Sequence, residues 1–324
     1  MLKGLALTPP VIGRIAIGRV VEKNGRRLPE KDDEFTLTSQ VQNKEGWVPH
    51  PVDAQLRKEP GTKLRSIPVR LLFDDPDLIL RANYTMFDRA TGRPLCVGDG
   101  ESCKRVTLSG MQSLPCPSPA VCPLAQDGNC KPYGRLHVRV EAEGNTEAGM
   151  ADISGDELGS FVFRTTGFNS IRTLSARLRY LFAVSGGLLA GLPLELRLRG
   201  KSTTLSHRTP IYYVDLTLRA GSNLAQVVAL ARQEREQQAA LGLDQAALDE
   251  AARQGLALGE FEESEEEGVE VVGEFYPDSD TDGDSGAAQA PAPISLRGKL
   301  HRKQEALGMR ANATGDPGAS HAVA

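Results

Sequence analysis

Pro193-Leu-Glu-Leu-Arg-Leu-Arg199 and Ile211-Tyr-Tyr-Val-Asp-Leu-Thr-Leu-Arg219 decide the fold class of this chain. In the first, Leu194, Leu196 and Leu198 share one face, opposite Glu195, Arg197 and Arg199. In the second, Tyr212, Val214, Leu216 and Leu218 alternate with Tyr213, Asp215, Thr217 and Arg219. A period of two places alternate side chains on opposite faces of a strand. Joined by the polar link 200–210, the two read as an antiparallel hairpin with one face on a core and one toward water. The outward face reads as basic.

The same grammar extends upstream. Arg14 to Val21 alternates loosely, and Asn24-Gly25 is a strong two-residue hairpin signal before the clean alternation of Glu34 to Val41. Lys31 to Asp33 reads as a polar loop between them. A further strand is expected from Ile67 to Phe73, where Pro68 points to an edge or a bulge because proline cannot donate to the ladder. Asp74-Asp-Pro-Asp77 reads as a turn, and strands follow at 78–87, 134–140 and 159–165. One amphipathic helix stands out, with Asn169 as its expected N-cap and Ile171, Leu174, Leu178 and Leu181 on one face. Ser185-Gly186-Gly187 stops it.

Helical segments are expected over 224–238 and from an Asp244 cap to Gly255. Beyond them the composition changes. From Glu260 to Asp284 there are twelve Asp and Glu and no Lys or Arg, so the rest of the chain holds 38 basic against 30 acidic residues although the whole carries −4. Such low-complexity sequence cannot bury enough apolar surface to order itself. The expectation is an α+β protein, mostly antiparallel, with a body over 1–221, a helical extension over 222–259 and an acidic, disordered stretch over 260–324. Within that stretch Leu296 to Lys303 is a basic island. No apolar run reaches the length of a membrane span, and the start of the chain does not read as a signal peptide. A cytoplasmic protein is expected.

All five cysteines fall between Cys96 and Cys130, each beside a turn former or a polar residue. Thiolates gathered in a stretch rich in Gly and Pro suit a closed tetrahedral zinc site, which staples a fold and leaves no open position for water. Free thiols or a redox role are the alternatives, and an odd number of cysteines argues against a disulfide framework. Four ligands are needed and five thiols are present.

No catalytic constellation accompanies them. The histidines His50, His137, His207, His301 and His321 form no metal-binding pair, and nucleophile-elbow and P-loop patterns are missing. His137 alternates within a strand and reads as a surface or packing residue. No small-molecule substrate is implied. A nucleic-acid binder using the basic sheet face at Arg197, Arg199 and Arg219, with the basic island, is an alternative, although aromatics for base stacking are few beyond Tyr212 and Tyr213. A metal-dependent hydrolase ranks below it for want of open-site ligands.

The motifs Cys96-Val-Gly-Asp-Gly-Glu101, Pro115-Cys116-Pro-x-Pro-x-x-Cys122-Pro123, Cys130-Lys-Pro-x-Gly-Arg-Leu136 and Thr166-Gly-Phe-Asn-Ser-Ile171 resemble those of the recombination directionality factors of phage large serine integrases, in their zinc-knuckle form. The resemblance covers about Leu2 to Arg219. It implies a protein that is not an enzyme. Such a factor binds the serine integrase and repositions its coiled-coil arm, so that attL and attR are recombined and the element is excised, with DNA contacted through the integrase. It further implies Cys96, Cys116, Cys122 and Cys130 as zinc ligands. Cys103 departs from the pattern, as a replacement for one of the four or as a spare thiol. The exposed side of the helix at 169–184, with Arg172 and Arg179, is the first candidate for the partner surface.

Overall fold

The computed structural model describes residues 10–23, 26–44, 46–57, 59, 61–143, 150–152, 159–202, 204, 209–258, 271–273 and 275–276. Strands β1 (Val11–Lys23), β2 (Arg26–Asn43) and β3 (Gly46–Pro49) lead to a short helix, α1 (Pro51–Arg57). Then come β4 (Ser66–Leu71), the one-turn helix α2 (Pro76–Ile79) and β5 (Leu80–Phe87). A meander of β6 (Pro94–Gly98), β7 (Ser102–Thr107) and β8 (Gly110–Pro115) ends in a 3-10 turn at Pro123–Gly128, followed by β9 (Lys131–Glu143). After β10 (Met150–Asp152) and β11 (Ser160–Thr165) the chain forms α3 (Phe168–Ser185), β12 (Leu194–Lys201), β13 (Ile211–Leu218), α4 (Leu224–Ala240) and α5 (Gln245–Leu258).

The fold is α+β, on a sheet in the order β3-β2-β1-β11-β9-β5-β6-β7-β8 with β4, β12 and β13 branching from it. Among the described residues only the β1–β11 pairing is parallel. The branch point is β9, which is long enough to serve two neighbours on one side. Its first half pairs with β5, from Thr85 opposite Lys131 to Leu80 opposite Leu136, and its later part pairs with β4 at Val69 to Leu71. One arm therefore runs out through β5 to β8 and carries the cysteines. The other runs through β4 to the β12–β13 hairpin.

The core gathers Phe35, Leu37, Ile67, Val69, Leu136, Val138, Phe161, Phe163, Leu194, Leu196, Val214 and Leu216, and α3 adds Leu174, Leu178 and Leu181. Each such side chain contributes about 2 kcal/mol by leaving water. Gly134 lets the helix approach: a β-carbon there would lie 2.9 Å from Ile171. The free edge of β13 is partly closed by α3 as well, since the Val214 N–H donates to Ser170 Oγ at 3.1 Å.

Several local expectations change. Helix α3 starts one residue before Asn169, with Gly167 at the N-cap position, and Asn169 Oδ1 instead accepts from Lys201 Nζ at 2.7 Å. Its stop at Gly186, with φ +73°, is as expected. Lys31 to Asp33 is no loop but part of β2, at a bulge where the register jumps from Ile17–Phe35 to Arg19–Glu30 around Gly18. Strand β4 is central rather than an edge. Pro68 lies opposite Glu195 of β12, just outside the part of β4 paired with β9, so the ladder to β9 loses no donor there.

The C-terminal helices share the core of the body. Val227, Ala231 and Ala252 belong to it, and α2's approach supplies the ties. Arg235 pairs with Asp74 at 2.6 Å, Arg253 pairs with Asp75 at 3.0 Å, and Asp249 accepts the Asp74 N–H at 3.0 Å. Burial holds the Asp249 carboxyl above the usual range. The span expected to be disordered, 260–324, has described residues at 271–273 and 275–276 that pack on the body. Val271, Phe275 and Tyr276 are buried against Phe87 and Tyr133. The rest of that span, including the basic island, lies outside the described residues, as do Asn24 and Gly25. Among the described residues no helix is long and apolar enough to cross a membrane.

Candidate metal centre and partner surface

The β6–β7–β8 meander is shaped by two turns. Asp99 makes the first: its Oδ1 accepts from the N–H groups of Glu101 and Ser102, both at 2.8 Å, and Gly100 takes φ +105°. These backbone bonds hold the Asp99 carboxyl below its ordinary range. Cys96 and Cys103 are thereby brought onto adjacent strands, with Gly98 opposite Cys103. A β-carbon at Gly98 would stand 2.7 Å from Cys103 Cβ and 2.9 Å from Cys116 Sγ, so the missing side chain makes the space into which Cys116 reaches. Cys116 follows β8 directly and is fixed by its N–H to Glu101 O at 2.8 Å.

Cys96, Cys103 and Cys116 form a buried cluster with Met86 and Leu114 packed on it. Cys122 opens the 3-10 turn after a backbone reversal at Ser118, whose φ is +67°, and Cys130 enters β9. Both are half-buried, and none of the five is in a disulfide.

The five sulfurs act on one another. Burial pushes the Cys103 thiol up to about 11, helped by the hydrogen bond that it donates to its neighbour Cys96, with Cys116 adding to it and Arg105 opposing. Cys130 is pushed up to about 12 by burial and then by Cys96, Cys116 and Cys122. Arg105 is the local cation, 3.8 Å from Cys103 Sγ, and holds its own proton more tightly because of Cys96. Crowded thiols that raise each other's pKa favour the neutral form until a cation joins them. The donor set, soft and rich in sulfur, fits a zinc-type ion, for which thiolate is the preferred ligand. No group of three or more His, Cys, Asp or Glu side chains that could hold a metal ion stands assembled among the described residues.

The arginines expected to meet a partner divide into two kinds. Arg197 pairs with Glu195, and Arg199 pairs with Asp215 at 3.1 Å; Arg177 of α3 reaches the same carboxylate at 2.9 Å. Arg219 pairs with Glu141. Glu195 and Asp215 are buried, so the sheet face that reads as basic is largely neutralised from within. Arg172 and Arg179 instead lie on the exposed side of α3. Phe168, Tyr180, Phe182 and Val184 of the same helix are exposed beside them. Positions 168, 172, 176, 179 and 183 follow the spacing of one helix face. These exposed apolar residues were legible in the sequence as departures from amphipathicity. Gly98 carried no local sign beyond its place in the Gly-Asp-Gly turn.

His137 is a packing residue. It is buried, and burial together with Arg81, Arg135 and Arg164 lowers its pKa to about 3.

An α+β scaffold with a cysteine-bearing meander on one arm and an exposed aromatic–basic helix defines a protein built around one large sheet and a group of buried cysteines. The chain belongs to the Gp3-like, recombination directionality factor-like family, whose model matches residues 12–219. Membership makes it an accessory factor of phage-type recombination. No curated protein and no solved structure matches it significantly.

Proposed function

We propose that this chain is a non-catalytic accessory factor of a mobile element that binds a serine integrase and turns it toward attL and attR, favouring excision. The observation that carries the reading is the family match, which takes in the whole cysteine meander and α3. A directionality factor needs to bind one arrangement of the recombinase complex better than another. A difference of about 1–3 kcal/mol suffices for a useful coupling.

In this reading Cys96, Cys116, Cys122 and Cys130 hold Zn2+, with Cys103 as the alternative ligand. Bound zinc supplies structural rigidity through four thiolates and no open coordination site. The crowding of the thiols and the cradle at Gly98 support it. The integrase-facing surface is α3. Arg172 and Arg179 make no described ion pair, unlike Arg197 and Arg199, and exposed aromatics flank them. DNA is then met through the integrase.

The test is an in vitro recombination assay with the element's own integrase, alongside gel shifts of attachment-site DNA with and without it. The expected result is attL × attR recombination that depends on this chain, and a supershift only when integrase is present. DNA binding by the chain alone, with a steep loss on adding salt, would favour direct nucleic-acid recognition instead.

A further inference from the structure

The segment 271–276 is an apolar and aromatic island, Val271-Val-Gly-Glu-Phe-Tyr276, inside a run that is otherwise acidic. It adds no strand to the sheet. Its buried side chains form a satellite cluster with Phe87 and Tyr133, separate from the main core. Phe275 is 1% exposed and stacks edge-on against Phe87 at 4.9 Å, Tyr133 at 5.9 Å and Tyr276 at 4.7 Å.

Polar groups fix the register of this contact. The ladder between β5 and β6 shifts at Met86/Phe87, and there the Phe87 N–H donates to the Tyr276 hydroxyl at 3.3 Å. The same hydroxyl donates to the Asn129 carbonyl. Lys131 Nζ donates to the Phe275 carbonyl at 3.0 Å. Arg89 lies over the Tyr276 ring at 4.5 Å, and Lys131 lies 5.2 Å from it. An apolar pocket with a few convergent polar groups and two cations is how short peptide motifs are recognised. The carboxylates that flank the island in sequence, Glu267, Glu270, Asp278 and Asp280, with Glu274 inside it, match those cations in sign.

We infer that Phe87, Tyr133, Arg89, Lys131 and the Asn129 carbonyl form a docking site for a short aromatic–acidic peptide, with Val271–Tyr276 of the same chain as its resident occupant. The inference does not rest on zinc or on an integrase. Because the occupant is tethered, it faces the site at a high effective concentration and excludes free peptide. Emptying the site in this chain exposes it.

The experiment uses the full chain carrying Phe275→Ala with Tyr276→Ala, and a fluorescent peptide of residues 264–280 followed by anisotropy. The double variant should melt cooperatively near the wild type and bind the peptide at least about tenfold more tightly than the wild-type chain does. Adding Arg89→Ala should weaken that binding, as should added salt. A folded double variant that binds the peptide no better than wild type overturns the site. Tyr276→Phe gives an independent reading that keeps the rings. Exchange of the Phe87 amide proton should then rise about tenfold with the melting temperature unchanged, and an unmoved exchange rate overturns the contact.

Discussion

At Gly98 any β-carbon would intrude between Cys103 Cβ and Cys116 Sγ, at 2.7 and 2.9 Å. One neighbour is the root of a side chain on a paired strand, and Ser102 O stands at a similar distance, so neither can yield cheaply. Gly98→Ala should cost about 1–3 kcal/mol by overpacking and should scatter the sulfurs, seen as a lower melting temperature and lost metal content. His137 makes a second residue-scale prediction. Its folded pKa of about 3 lies below the unfolded value of about 6.5, so the unfolded state takes the proton first as pH falls. The stability owed to a neutral His137 is whole above about pH 6.5 and is lost progressively down to about 3. His137→Leu should flatten that part of the pH dependence when urea midpoints are compared at about pH 7 and about pH 5. The alternation of 134–140 made a strand legible and left open which face was covered. The three arginines around His137 come from β5, β9 and β11, whose adjacency only the topology supplies.

Among the elements, α3 and the β12–β13 hairpin show where reading the sequence succeeds and where it stops. Period two located both strands, because alternation is a local property. It misjudged their outer face, because Glu195 and Asp215 recruit Arg197, Arg199 and Arg177, and no local pattern reports a partner 38 residues away. Pro68 misled for the same reason: a proline in a central strand is tolerated when one neighbour has already ended. On α3 the exposed stripe leads to a test. Arg172→Glu with Arg179→Glu should leave the melting temperature within a degree or two, since both are exposed. It should weaken integrase binding by about tenfold or more through charge reversal. Unchanged excision in the recombination assay would move the partner surface off this helix. Within the meander, Cys122→Ser and Cys130→Ser should each destabilise by on the order of several kcal/mol through loss of metal. Cys103→Ser should be mild if Cys96 completes the ligand set, and a severe Cys103 phenotype beside a silent Cys96→Ser would exchange their roles.

For the whole molecule, the family match and the sheet agree on a body that includes the cysteines and α3. The helices α4 and α5, expected as an extension, are joined to that body through Val227, Ala231, Ala252 and the ties to Asp74 and Asp75. Composition alone could not show this, since apolar residues on a helix do not say which element covers them. The acidic run likewise concealed the docked island at 271–276, although its Phe275-Tyr276 pair was visible in a stretch with few other large apolar groups. In the proposed reading four thiolates close on a zinc ion and make the cysteine arm rigid. Native mass spectrometry of the purified full chain, before and after chelation, tests it most directly. About one zinc per chain is expected, with a marked fall in melting temperature once the metal is stripped. A metal-free chain that folds and melts identically with or without chelator would contradict it.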